Sequence, residues 1–209
     1  PEQGLVYDAG NLAFILPTGK YIGNSRYKDV FAASTTADLT SFRNHWGAET
    51  SLDVALYRPV ARYELVAKDV ATFLNKLSTG GLKGESFTAR VKYSDYLPTG
   101  YNLWDDVPKN SLMYMEYKVA FERPADGTKD LQLGFDYVLT DAGETVPIPV
   151  ELEILNEKNE VLARTAFRIP CERGKNTTVR GNFLTSDING GIGIDPDYDG
   201  DLEVDLGEL

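Results

Sequence analysis

The stretch Val146-Pro147-Ile148-Pro149-Val150-Glu151-Leu152-Glu153-Ile154, followed by Asn156-Glu157-Lys158-Asn159 and then Val161-Leu162-Ala163-Arg164-Thr165-Ala166-Phe167, decides the fold. Its apolar residues recur at every second position, the side-chain period of a strand with one buried face. The polar turn between the two runs makes the pair a β-hairpin. Pro147 and Pro149 fall on the outward face. Proline cannot donate to a ladder, so they predict an edge there.

The same rhythm continues outward from this hairpin. Phe87, Ala89, Val91 and Tyr93 form one apolar face. Met113, Met115, Tyr117, Val119 and Phe121 form a second, and Leu131, Leu133, Phe135, Tyr137 and Leu139 a third. Shorter strands are expected over Leu12–Leu16, Tyr27–Ala32, Ser51–Tyr57 and Val60–Ala67. One segment has helical spacing instead: Val70, Phe73, Leu74 and Leu77 follow Asp69 as a candidate cap and precede Gly80-Gly81. Strands that each need one wet face and one dry face belong in antiparallel sheets. The expectation is an all-β, antiparallel sandwich with one short helix.

Length and charge narrow the function. A chain of 209 residues can bury a core of its own. Its net charge is −11, and from Ser186 to Leu209 there are eight acids and no Lys or Arg, leaving −3 for the other 185 residues. Without a basic patch to displace counterions, a nucleic-acid partner is not expected. No run approaches the roughly 20 apolar residues of a membrane span.

The residues that carry chemistry are sparse. Cys171 is alone and reads as a small buried hydrophobe. His45 is the only imidazole, and its setting Phe42-Arg43-Asn44-His45-Trp46-Gly47 matches no catalytic signature. No catalytic residues are expected and the chain reads as a non-enzyme, although 32 acids leave a carboxylate pair open in principle. No cofactor is expected, apart from calcium. In the acidic tail, Asp195, Asp197 and Asp199 with Gly200 resemble the start of a calcium loop, but position twelve is Leu206 and not a bidentate Glu. Between Tyr93 and Asp106, aromatics alternate with acids, and Tyr96, Tyr101 and Trp104 could stack on sugar rings in a carbohydrate-binding loop. That reading requires the three rings to be exposed and roughly coplanar. The competing reading has them covering the open end of the sandwich.

Five motifs in order carry a family resemblance. Leu56-Tyr57-Arg58-Pro59-Val60-Ala61-Arg62 is followed by the run Val91 to Asn102, Phe135-Asp136-Tyr137-Val138-Leu139, the block Ile169 to Thr185 and the tail Ile194 to Asp201. Together they resemble the fimbrillin-like surface proteins of Bacteroidetes over roughly residues 50 to 205. The resemblance implies a transthyretin-like Greek-key sandwich in a single domain over 1–209, with N-terminal strands absent or very short. Two joined sandwiches, 1–80 and 85–209, are the alternative. It also implies a fimbrial subunit or adhesin at the cell surface or outer membrane, anchored as a lipoprotein through a segment outside this chain. Its partners would be other fimbrial subunits or surface ligands, joined through donated β-strands. Arg58, Pro59, Arg173, Gly174, Thr178 and Gly181 would be structurally diagnostic, with both arginines tying strand ends to carboxylates or carbonyls. The alternating Leu202-Glu203-Val204-Asp205-Leu206 would be the last strand of its own sandwich or a donated one.

Overall fold

Alternation on this scale requires facing sheets. The computed structural model describes residues 6–8, 10, 14–17, 19–186 and 202–205. Among the described residues the strands are β1 (Tyr7–Asp8), β2 (Phe14–Pro17), β3 (Val60–Ala67), β4 (Ser86–Tyr93), β5 (Leu97–Asn102), β6 (Val107–Leu112), β7 (Glu116–Glu122), β8 (Leu131–Leu139), β9 (Thr145–Asn156), β10 (Val161–Glu172), β11 (Asn176–Gly181) and β12 (Leu202–Asp205), with one α-helix, α1 (Val70–Ser78). Two four-stranded sheets, ordered β12-β11-β3-β8 and β10-β9-β4-β7, form the Greek-key sandwich expected. Their inner faces share one core that includes Tyr63, Leu65, Phe87, Val91, Leu133, Leu152, Ile154, Ile169 and Val179. A third sheet, β1-β2-β5-β6, sits beside them with its own small cluster of Tyr7, Val30, Val60, Tyr101 and Leu139. One pairing departs from the antiparallel expectation: β11 runs parallel to β3, because the Greek-key path returns the chain beside its first sandwich strand. β3 therefore lies between β8 and β11, bonded to strands from the far side of residue 80.

The β9–β10 hairpin pairs Val161 with Leu155 and runs to Glu172 opposite Thr145. β9 is an inner strand, not an edge, since β4 covers it from Asn156 to Val150. Pro147 and Pro149 lie where β9 overhangs the end of β4, so no partner needs their missing N–H groups. Helix α1 buries Val70, Phe73 and Leu74, and Phe73 meets the Phe87 ring edge-on at 5.1 Å. Asp69 holds the N-cap position, its carbonyl accepting from the Phe73 amide at 3.0 Å, but its side chain makes no capping bond. Its carboxylate instead accepts from the amides of Leu184 and Thr185 and the Thr185 hydroxyl, tying the helix start to the chain that leaves β11.

Strand β8 departs most from its sequence reading. A bulge shifts its register against β3 between Leu65 and Val66. Gly134 sits there at φ +153°, and a Cβ on it would lie 3.1 Å from Val119 and 3.2 Å from Tyr117. After the bulge the faces exchange: Asp136 and Val138 are buried, while Phe135 and Tyr137 are only partly so. A single run of odd-numbered apolar residues therefore does not describe this strand.

Three other expectations change. Residues Tyr27–Ala32 form a 3-10 turn at Arg26–Lys28 and then one bridge, Ala32 to Tyr57, in place of a strand. Ser51–Tyr57 alternates but forms no ladder beyond that bridge, because β8 and β11 already flank β3. β7 begins only at Glu116, since Tyr114 turns the chain at φ +60°.

Candidate functional site

Burial of Asp136 inside a sandwich demands partners for both carboxylate oxygens. They come from three elements. The Lys28 ammonium donates to Oδ1 at 2.7 Å, as does the Tyr137 amide at 2.8 Å. Tyr21 and Tyr93 hydroxyls donate to Oδ2, the latter at 2.7 Å. Lys28 also donates to the Tyr21 hydroxyl at 2.8 Å. Tyr93 continues through Tyr63 (2.7 Å) to Tyr117 (3.2 Å), so hydroxyls from β3, β4 and β7 extend the network across the core. The side chains of Lys28 and Asp136 are 4% and 0% exposed. Burial pushes the Tyr21, Tyr63, Tyr93 and Tyr117 phenols well above their ordinary range, reinforced by the Asp136 charge. Burial also lowers the Lys28 ammonium, against the opposing pull of Asp136.

Lys28 reaches this position because residues 20–30 lie as a strap against β8. Asn24 exchanges two bonds with Phe135, amide to carbonyl at 3.0 Å and amide to side chain at 3.2 Å. Gly23 packs on the Tyr117 ring, where a Cβ would come within 2.3 Å of ring carbon. Only glycine permits that approach. A cavity of about 30 Å³ lies beside the pair, lined in part by Tyr7, Tyr21 and Lys28.

Three further carboxylates anchor networks of their own. Asp106 accepts from Tyr57, Tyr101 and Arg173, joining the chain before β3 to β5 and to the turn that follows β10. Arg58 forms a two-point contact with Asp29. Both arginines singled out in the sequence thus meet carboxylates. Glu153, on the outer face of β9, receives Arg90, Lys92 at 2.9 Å and Arg164 at 2.7 Å. Burial opposes its ionisation, but hydrogen bonds from these cations prevail and lower its pKa to about 2.

The aromatic trio is not brought together. The segment read as a loop contains β5, hairpinned with β6, and Tyr101 is fully buried, its hydroxyl held by Asp106 and Arg173. Tyr96 and Trp104 remain exposed but flank opposite ends of β5. Asp195, Asp197 and Asp199 lie outside the described residues. His45 is exposed in the long segment before β3. Cys171 is buried in the core, and burial raises its thiol to about 12. Sequence reasoning missed Tyr114, which is 85% exposed beside a cavity of about 280 Å³ lined by Lys92, Met113, Met115, Glu116 and Glu151. It also missed Asp136, whose flanking residues Phe135 and Tyr137 read as one apolar face. Among the described residues there is no group of three or more His, Cys, Asp or Glu suited to a metal ion, and no helix is long and apolar enough to cross a membrane.

No curated protein matches the chain. Solved structures of proposed cell adhesion proteins are similar to it. One from Bacteroides ovatus ATCC 8483 shares 13% identity at a TM-score of 0.40, with 72% of this chain and 46% of that one covered. Another, from Parabacteroides distasonis ATCC 8503, shares 12% at 0.38, covering 71% and 52%. A third, from Bacteroides eggerthii DSM 20697, shares 11% at 0.36, covering 73% and 56%. The chain spans about half the length of these structures. The model of a family of unknown function, DUF6562, matches residues 1–207, and the chain belongs to that family.

Proposed function

We propose that this DUF6562 chain is a non-enzymatic, fimbrillin-like subunit or adhesin that acts at the cell surface by attachment or assembly. The observation that carries the reading is the segment 33–56. Its 24 residues are exposed except for partly buried Ala33 and Phe42, yet they include Leu39, Trp46, Leu52, Val54 and Leu56. Trp46 is 98% exposed. Long connections are uncommon in compact domains unless they carry function; this one has only a 3-10 turn at Thr40–Phe42 as regular structure of its own, and exposed apolar side chains in such number point to an interaction surface. Leu52, Val54 and Leu56 also keep the two-residue period of a strand that has no ladder. That is the form in which a segment joins another subunit's sheet edge by β-augmentation. The neighbours' description as proposed cell adhesion proteins agrees with this reading and adds no weight to it.

The test replaces Leu52, Val54 and Leu56 together with Asp. The variant should keep the wild-type melting temperature and lose concentration-dependent association in sedimentation and adherence of protein-coated beads to cells. If both behaviours survive unchanged, this segment is not the working surface.

A second reading, glycan recognition, is favoured by one observation: Tyr114 holds an exposed ring at φ +60° over the cavity edged by Lys92, Glu116 and Glu151. Strained, exposed aromatics cluster at ligand sites. Screening the protein and its Tyr114→Ala variant on a glycan array decides it, and identical profiles would eliminate this site.

A further inference from the structure

We propose that Lys28 and Asp136 join in an intramolecular isopeptide bond that covalently fastens the 20–30 strap to β8. The inference rests on contacts inside the core and is independent of the attachment surface proposed above.

An amide between an ammonium and a carboxylate releases one water and needs no other reactant. The obstacle in solution is that both groups are charged and solvated, so the amine is not nucleophilic and the carboxylate carbon is not electrophilic. Here both lie in the core, 2.7 Å apart. Desolvation disfavours the separated charges and favours transfer of a proton from one to the other. The route for that proton is present. Lys28 Nζ donates to the Tyr21 hydroxyl at 2.8 Å, and the Tyr21 hydroxyl donates to Asp136 Oδ2. A shift along this chain leaves a neutral amine facing a neutral carboxylic acid, with Tyr21 unchanged.

The two oxygens are then differentiated by their partners. Oδ1 accepts the Tyr137 amide at 2.8 Å, a backbone donor that steadies negative charge on that oxygen as the amine lone pair adds to Cγ. Oδ2, held by Tyr21 and Tyr93, receives a second proton from nitrogen and departs as water. The C–N bond forms and the Cγ–Oδ2 bond breaks. Of the three ammonium protons, two leave in the water and one stays on the amide nitrogen. The adjoining cavity of about 30 Å³ can receive the released molecule. Holding the reacting groups at fixed separation supplies the effective concentration that such a step lacks in solution.

The experiment is intact-mass spectrometry of the purified full chain, then trypsin digestion. The expected mass falls short of the sequence mass by one water. Trypsin should fail to cut after Lys28 and should yield a branched peptide joining residues 27–43 to residues 130–158. Tyr21→Phe keeps the ring but removes the relay, so it should show its full sequence mass or lose water at least tenfold more slowly after refolding. Lys28→Arg should show its full mass. Wild-type protein at full sequence mass, a water loss mapped to other residues, or a Tyr21→Phe protein that loses water as fast as wild type would overturn the assignment.

Discussion

Asp136 and Glu153 are almost equally hidden, with side chains 0% and 1% exposed, yet they are hidden in opposite ways. Asp136 points between the sheets and meets one cation and two phenols. Glu153 points away from the core and is covered by three cations whose own side chains remain 24–38% exposed. Burial alone therefore does not describe a carboxylate's surroundings. What matters is whether its partners bring water with them. Glu153 keeps a solvated shell and ionises more readily than a free carboxylate. Asp136 has no such shell, and every polar atom near it must be satisfied by the protein itself.

The difference is exposed most sharply by truncation. Asp136→Ala leaves Lys28 without its carboxyl partner in a dry site, whether that partner is held as an ion pair or through the amide proposed above, and such a loss costs about 3–5 kcal/mol. Urea unfolding monitored by Tyr fluorescence should show that loss. A change below about 1 kcal/mol would mean that water reaches Lys28 and that the two carboxylates are alike after all. Next in size is Gly134→Ala, which attacks the bulge that turns Asp136 inward. The added methyl must be accommodated at φ +153° and against Val119 and Tyr117, at a cost of about 1–3 kcal/mol in melting experiments.

That bulge also explains what was legible and what was not. The sandwich, its hairpin and the helix follow from side-chain periods, which are local and survive in the sequence. Asp136 was hidden because the pattern Leu131, Leu133, Phe135, Tyr137, Leu139 looks continuous, and one glycine reverses its second half. Tyr101 was misplaced for a related reason: a short hairpin strand with one inward aromatic has too few repeats to distinguish it from a loop. Lys28 could not be found at all by period, since it lies on a 3-10 turn whose position depends on Gly23 and Asn24 meeting β7 and β8.

Acid titration sharpens the Glu153 half. Its pKa is about 2 in the fold against an ordinary 4.5, so the ionised form is favoured by the native state. The stabilisation is complete above about pH 4.5 and fades as pH falls toward 2. With partners this exposed, the contribution is on the order of 1–3 kcal/mol. Glu153→Gln should flatten that part of the stability profile. An equally steep acid limb in the variant would assign the acid sensitivity to other carboxylates.

Arg58 and Asp29 complete the series at its wet end. Their geometry is good, at 2.9 and 3.4 Å, and Arg58 also lies over the Phe31 ring at 4.4 Å. Still, their side chains are 45% and 27% exposed, so water competes for the same hydrogen bonds and salt screens the attraction. A double-mutant cycle with Arg58→Ala and Asp29→Ala should give a coupling of about 0.2–1 kcal/mol that shrinks in high salt. A larger, salt-insensitive coupling would show that contact geometry, and not access of water, sets the strength of these pairs, and the contrast between Asp136 and Glu153 would then need another cause.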